Sequence, residues 1–241
     1  MGQIDEKQKI LASFLKNCRK SKIDGELLAK ISKDCGIKKA KIDLLFEDGV
    51  TGIIDFYTHG ILEELEWAVA GNHNFHQDKV RGKIYFCLLS FFKIQQENRE
   101  SLAQVKDFYL NPKNLLDKDS GLTPISFAMK NSYKISDRIW GILGDKSTDY
   151  NYYTKRLTLA KVITKSFLVF VNDETKDLDL TAKIIAKEIE KVMSFEKFKK
   201  SFSGAAKASK ESVSNMFFDE NSNVRPIGEI VKKLPFIRLF N

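Results

Sequence analysis

The sequence predicts an all-α protein: an N-terminal helix-turn-helix segment followed by a helical bundle and an amphipathic C-terminal tail. Three observations carry that prediction. Apolar residues recur at helical spacing in one segment after another. Proline is scarce, with 4 in 241 residues, and glycine numbers 13, so long helices run without interruption. Several glycines, such as Gly36, Gly49 and Gly144, close an apolar stretch, where a helix ends. At 43% hydrophobic and 30% charged, the chain suits a soluble globular protein with a proper core.

The elements follow in order. Ile4, Ile10, Leu11, Phe14 and Leu15 share a face of a first helix over residues 4–18. Asp24-Gly25 opens a second, with Leu27, Leu28 and Ile31 along it, and Cys35-Gly36 breaks it. Ile37 to Lys41 starts a short basic third helix carrying Ile42, Leu44, Leu45 and Phe46. Short helix, glycine turn and short basic helix together have the shape of a helix-turn-helix. Residues 50–69 read as a longer connecting helix. The stretch Gly71 to Asp78 is polar and reads as a surface loop or hinge; His73 and His76 in it are two histidines without a third ligand, and no metal site is expected. Residues 79–96 make a strong helix with a broad apolar face including Cys87, Leu88 and Phe91. A short helix covers 101–109, and Pro124 stands near the start of a long one that carries Phe127, Ile135, Ile139 and Ile142. After a corner, Tyr153, Leu157, Ala160, Thr164, Phe167 and Val171 form a stripe, widened by Ile163 and Phe170 until the helix should be mostly buried. Residues 177–192 form a further amphipathic helix. The expected division is 1–70 for the helix-turn-helix-like part, 71–192 for the bundle and 193–241 for the tail.

The corner from Asp137 to Arg156 is the most informative stretch. Gly144 sits where a left-handed helix cap is wanted. Ser147 and Thr148 offer hydroxyls to a new first turn, and Asp149 suits its positive end. Tyrosines, acids and Arg156 gather there, a mixture typical of binding hot spots, although an ordinary capped corner has the same composition.

The run D-x-x-W, then G-D-x-S-T-D-x-N-x-Y-T-x-R, at Asp137, Trp140, Gly144, Asp145, Ser147, Thr148, Asp149, Asn151, Tyr153, Thr154 and Arg156, resembles the signature of the lipid-binding accessory proteins of ubiquinone (coenzyme Q) biosynthesis. One departure is that the family usually has Trp-Tyr where this chain has Tyr152-Tyr153. The resemblance implies a TetR-like fold and a non-enzymatic protein that presents isoprenoid quinone precursors to a membrane-bound hydroxylase. It implies partner contacts at Trp140, Asp145, Asp149, Tyr152, Tyr153 and Arg156; within them the tyrosines are the expected anchors, Asp149 and Arg156 the orienting polar groups, and Asp145, with Ser147, a helix cap. A bundle can also hold a long apolar ligand between its helices, and Phe91, Phe127, Leu157, Ile163 and Phe167 are the expected lipid contacts.

Net charge is +8, which favours an anionic partner, either a membrane surface or nucleic acid. The competing reading is a TetR-like DNA-binding regulator. The basic third helix weakens it, because Lys38, Lys39 and Lys41 are followed by Asp43, Glu47 and Asp48, and base readout wants Arg, Asn or Gln. No nucleic acid is therefore expected, and a homodimer is left open. Phe195, Phe198 and Phe202 recur among lysines, and Ile230, Leu234, Phe236, Ile237 and Phe240 follow with Lys232, Lys233 and Arg238. That is the pattern of an interfacial membrane helix, and equally of a segment docked on its own bundle. Cys18, Cys35 and Cys87 lack close pairing and read as reduced, buried thiols. The N-terminus reads as neither a signal nor a transit peptide, and no apolar run reaches the roughly 20 residues of a membrane span. The expected location is the bacterial cytoplasm, peripheral on the inner face of the inner membrane, or the matrix side of a mitochondrion. No Gly-rich phosphate loop, H-E-x-x-H or G-x-S-x-G occurs, and no cofactor is expected beyond a bound isoprenoid lipid or quinone precursor.

Overall fold

The computed structural model describes residues 2–111 and 124–201, and their side chains outside 124–127, 149–150 and 193–201. The described residues are all-α, with no strand among them. The helices are α1 (Gln3–Cys18), α2 (Leu27–Cys35), α3 (Lys39–Leu45), α4 (Gly49–Ala70), α5 (Val80–Ile94), α6 (Arg99–Leu110), α7 (Pro124–Ile142), α8 (Asp149–Phe170) and α9 (Asp179–Ser201). Three helices, the second and third of them short, followed by a longer connecting one is an order consistent with a TetR-like arrangement.

Two ends show how local chemistry sets these boundaries. Gly36 closes α2 at φ +65°, in the left-handed region. Gly144 closes α7 at φ +72°; its N–H bonds to the Gly141 carbonyl at 2.9 Å, and the Asp145 N–H bonds to that of Trp140 at 3.0 Å. This paired pattern is a Schellman turn, which satisfies carbonyls that a helix end leaves open.

Packing then joins the helices around one continuous core. It runs from Ile10 and Phe14 of α1 through Leu65 of α4 and Phe92 of α5 to Phe170 of α8 and Ile185 of α9. α8 lies between α7 and α9, while α4 contacts α1, α5 and α7. The N-terminal helices are tied to the bundle through α1: Ser101 donates to the Leu15 carbonyl at 2.7 Å, and Arg19 donates to that of Glu97 at 2.6 Å. Phe92 and Phe170 meet at 5.0 Å between ring centroids. The three cysteines are free and buried, and burial pushes the Cys18 and Cys87 thiols up to about 12.

Two expectations need correction. The polar stretch after α4 is not merely a surface loop. It folds into a single 3-10 turn, Phe75–Gln77, that buries Phe75 edge-on against Phe86 at 5.7 Å. One aromatic ring thereby anchors an otherwise hydrophilic segment. The last helix does not stop at Val192 but continues to Ser201, since no glycine or proline interrupts the intervening residues. Phe195 and Phe198 stand on that helix, with side chains outside the described ones. Phe202, Ile230, Leu234, Phe236, Ile237 and Phe240 lie outside the described residues, as does the side chain of Phe127.

Candidate functional site

The α7–α8 corner is built around a buried arginine. Arg156, 5% exposed at its side chain, projects from the second turn of α8. Its Nε donates to Asp137 Oδ1 at 2.5 Å, and its Nη1 donates to Asp145 Oδ2 at 3.2 Å. Asp145 is 6% exposed and also accepts from Lys155 at 2.7 Å and from Ser147 at 2.5 Å. Burial opposes the charge on Asp145, but these three donors outweigh it and hold the carboxyl down at about 2. That carboxylate is locked ionised, the wrong state for a general acid.

The aromatic residues cover this network. The Arg156 guanidinium stacks 3.3 Å from the centre of the Tyr152 ring, and the Tyr152 hydroxyl donates to Asp137 at 3.1 Å. Tyr153 meets Tyr152 edge-on at 5.1 Å. Lys155 holds its ammonium 5.1 Å from the centre of the Trp140 ring, whose indole N–H is buried without a hydrogen-bond partner.

The structure redistributes the expected roles. Tyr152, Tyr153 and Trp140 are half-buried and reach the surface. Arg156 and Asp145 do not: they point inward, and a partner reaching Arg156 would have to displace two carboxylates. Arg156 thus orients Tyr152 from below, by stacking and by sharing Asp137. Thr148 is the backbone cap of α8 but makes no side-chain capping bond. The Ser147 hydroxyl donates to Asp145 and accepts from Lys155 at 3.2 Å, two charge-assisted bonds that hold it in the ion-pair network. The side chain of Asp149 lies outside the described ones. Sequence reasoning passed over Asp137 and Lys155 as site residues, though their opposite charges about one helix apart were a usable signal.

A second feature lies between α4, α5, α6, α7 and α8: an apolar chamber of about 410 Å³. Ile54, Phe91, Leu102, Ile135, Ile163 and Phe167 form much of its wall. Its size falls within the roughly 300–1,000 Å³ of small-molecule sites. Lys106, Lys161 and Lys165, each partly or fully exposed, also line it. Of the expected lipid contacts, Phe91, Ile163 and Phe167 face the chamber. Leu157 does not: α8 meets the chamber from Lys161 to Leu168, and Leu157 lies a turn before it. The contributions of α4 and α6 were missed, because a lining residue and a core residue look alike in a helical stripe.

Residues 125–196 match the COQ9 family model. Through that segment the chain is similar to COQ9 proteins. The COQ9 match contains the whole corner and the α7–α8 side of the chamber. The chain is 22% identical over 203 residues to the probable ubiquinone biosynthesis protein coq9, mitochondrial, of Dictyostelium discoideum, covering 80% of this chain and 61% of that protein. It is 35% identical over 57 residues to the mitochondrial ubiquinone biosynthesis protein COQ9 of Bos taurus and 33% over 57 to that of Homo sapiens, in each case 24% of this chain and 18% of the relative. The matches thus span 61% of the Dictyostelium protein and about a fifth of the mammalian ones.

Among the described residues no group of three potential ligands that could hold a metal ion occurs. His76 of the short turn packs edge-on against Phe75. No helix there is long and apolar enough to cross a membrane.

Proposed function

We propose that this protein is a non-catalytic lipid-binding accessory factor of ubiquinone biosynthesis, which presents an isoprenoid quinone precursor to a membrane-bound hydroxylase. The observation that carries the reading is the apolar chamber, one side of which is formed by the segment that matches COQ9 and by the two helices of the tyrosine-rich corner. Burial of apolar chain in such a chamber is worth about 0.8 kcal/mol per CH2, which offsets the cost of drawing an isoprenoid out of a bilayer. Lys106, Lys161 and Lys165 favour an anionic membrane surface at the chamber's edge. Phe195, Phe198 and the basic stretch after them add interfacial anchoring. Tyr152, Tyr153 and Trp140 dock the hydroxylase. The protein works peripherally on the matrix side of a mitochondrial inner membrane, the compartment named for its relatives, or on the corresponding cytoplasmic face in a bacterium.

The geometry of α3 weighs against the DNA-binding alternative. Lys41 is held by Glu6 at 2.5 Å, and the outward face carries Leu44, 74% exposed, a poor neighbour for phosphates.

Lipid extraction of the purified protein tests the cargo. An isoprenoid is expected in wild type and a depleted one in Ala128→Phe, which fills the chamber; equal lipid content in both refutes the chamber as its site. Tyr152→Ala with Tyr153→Ala should weaken hydroxylase capture without lowering the helical content. Undiminished capture removes the corner from the docking surface.

A further inference from the structure

One wall of the apolar chamber is polar. Thr58 of α4, Asn131 and Ser132 of α7, and Thr164 of α8 meet there. Thr58 is 7% exposed and donates its only hydroxyl hydrogen to the Ile54 carbonyl at 2.9 Å. It therefore accepts from Asn131 Nδ2, at 3.0 Å. Thr164 spends its one hydroxyl hydrogen on the Ala160 carbonyl at 2.9 Å and on Ser132 Oγ at 3.2 Å. The hydroxyl hydrogens of Thr58 and Thr164 are thus committed within the protein. Their oxygen lone pairs and one amide hydrogen of Asn131 remain. Asn131 Oδ1 is buried with no hydrogen-bond partner, a costly state for an amide oxygen.

The same two residues, Thr58 and Asn131, also line a second pocket of about 520 Å³ on the other side. That pocket is polar, and its carboxylates outnumber its lysines. Lys134 pairs with Asp55 at 2.6 Å, and Lys7 lies over the Phe46 and Phe56 rings at 5.2 and 5.8 Å. Glu47 and Asp48 add further negative charge.

We propose that the Thr58–Asn131 pair, with Ser132 and Thr164, is a head-group subsite for a neutral, hydroxyl-bearing ring, such as a prenylated phenol or hydroquinone. This rests on the reading of the chamber as an isoprenoid site. The prenyl tail lies along the apolar walls. With Asn131 Nδ2 held by Thr58, Oδ1 accepts from the ring hydroxyl while the second amide hydrogen donates to the hydroxyl oxygen. A quinone carbonyl or a methyl ether accepts but cannot donate, so neither satisfies Oδ1. An ionised carboxylate or phosphate head has no hydrogen to give Oδ1 and meets the oxygen lone pairs of Thr58 and Thr164, so this wall disfavours it. The subsite thereby selects for a neutral, reduced ring.

Calorimetric titration of the full chain tests this with a farnesyl-substituted phenol, its methyl ether, farnesylbenzene and farnesoic acid. In wild type the phenol should bind about tenfold more tightly than its ether, the difference one satisfied buried acceptor makes, and more tightly than the acid. In Asn131→Leu the phenol and the ether should bind alike, with farnesylbenzene unaffected. The wild-type comparison needs no variant to fold. Equal binding of phenol and ether in wild type overturns the subsite and leaves the cargo reading standing. Tighter binding of the acid overturns the neutral-head assignment. Failure of every ligand, farnesylbenzene included, overturns the chamber reading and the subsite with it.

Discussion

Replacing Arg156 by leucine removes the centre of the corner while leaving its surface residues in place. The loss can be worked from the contacts. The Arg156–Asp145 pair has both side chains almost fully buried, at 5% and 6% exposure. Removing one member of a buried pair costs roughly 3–5 kcal/mol, because the other charge stays behind. Lys155 and Ser147 still hold Asp145, so the low end applies, about 3 kcal/mol. Asp137 is 47% exposed and adds little. For a chain of this size, that lowers the melting midpoint by roughly 6–12 °C. The sign of the pH dependence follows from Asp145, whose folded value lies below the ordinary 3.8 at about 2. A depressed carboxyl contributes stability that is complete above its unfolded value and lost as pH falls through the folded one. The gap between wild type and Arg156→Leu should therefore be full near neutrality and shrink on acidification through this window. Adding Asp145→Asn to Arg156→Leu should recover part of the loss, since no charge is then stranded. Circular dichroism melts across pH read all three effects. A midpoint within about 2 °C of wild type, or a gap indifferent to acid, would refute the view of Arg156 as an internal brace.

Gly144→Ala forces a side chain into a left-handed residue and should cost about 1 kcal/mol, seen as a lower urea midpoint with unchanged slope. Cys18 and Cys87, sealed and with thiols raised to about 12, should resist a thiol reagent at mildly alkaline pH until denaturant is added. Asp173→Ala should destabilise by about 2–3 kcal/mol, because this fully buried carboxylate accepts from the backbone and hydroxyls of both Thr175 and Thr181. A melt unchanged from wild type would deny it that role.

Much of the architecture was legible in the residues. Period and glycine placement located the helices up to α8 to within a few positions, because burial of an amphipathic face and the cost of a left-handed cap are local matters; the end of α9, with no glycine or proline to mark it, was placed nine residues short. Gly144 is the clearest instance. Phe75 was not legible: a lone aromatic in a polar run carries no period, and only the approach of α5 reveals where it goes. The corner was recognisable as a cluster, yet its composition could not separate the inward Arg156 from the outward tyrosines, since both occur at the same helical spacing. The chamber was the least accessible. A void depends on how five helices meet, and Leu157 and Ile163 are interchangeable letters until they do. Thr58 and Asn131, far apart in sequence, carry no mark of their meeting.

Leu178 is the one non-glycine residue among those described with a positive φ, at 56°, and its side chain is wholly buried. A leucine held in that conformation stores backbone strain, and the anchored side chain together with the Asp173 clasp keeps it there. The heading of α9 is consequently decided at its first residues. Over its 23 residues α9 is a lever of roughly 35 Å, so a tilt of a few degrees at the hinge would swing its far end by about 2 Å. Any substitution that slackens Leu178 would thus be felt farthest away, in where Phe195 and Phe198 are carried.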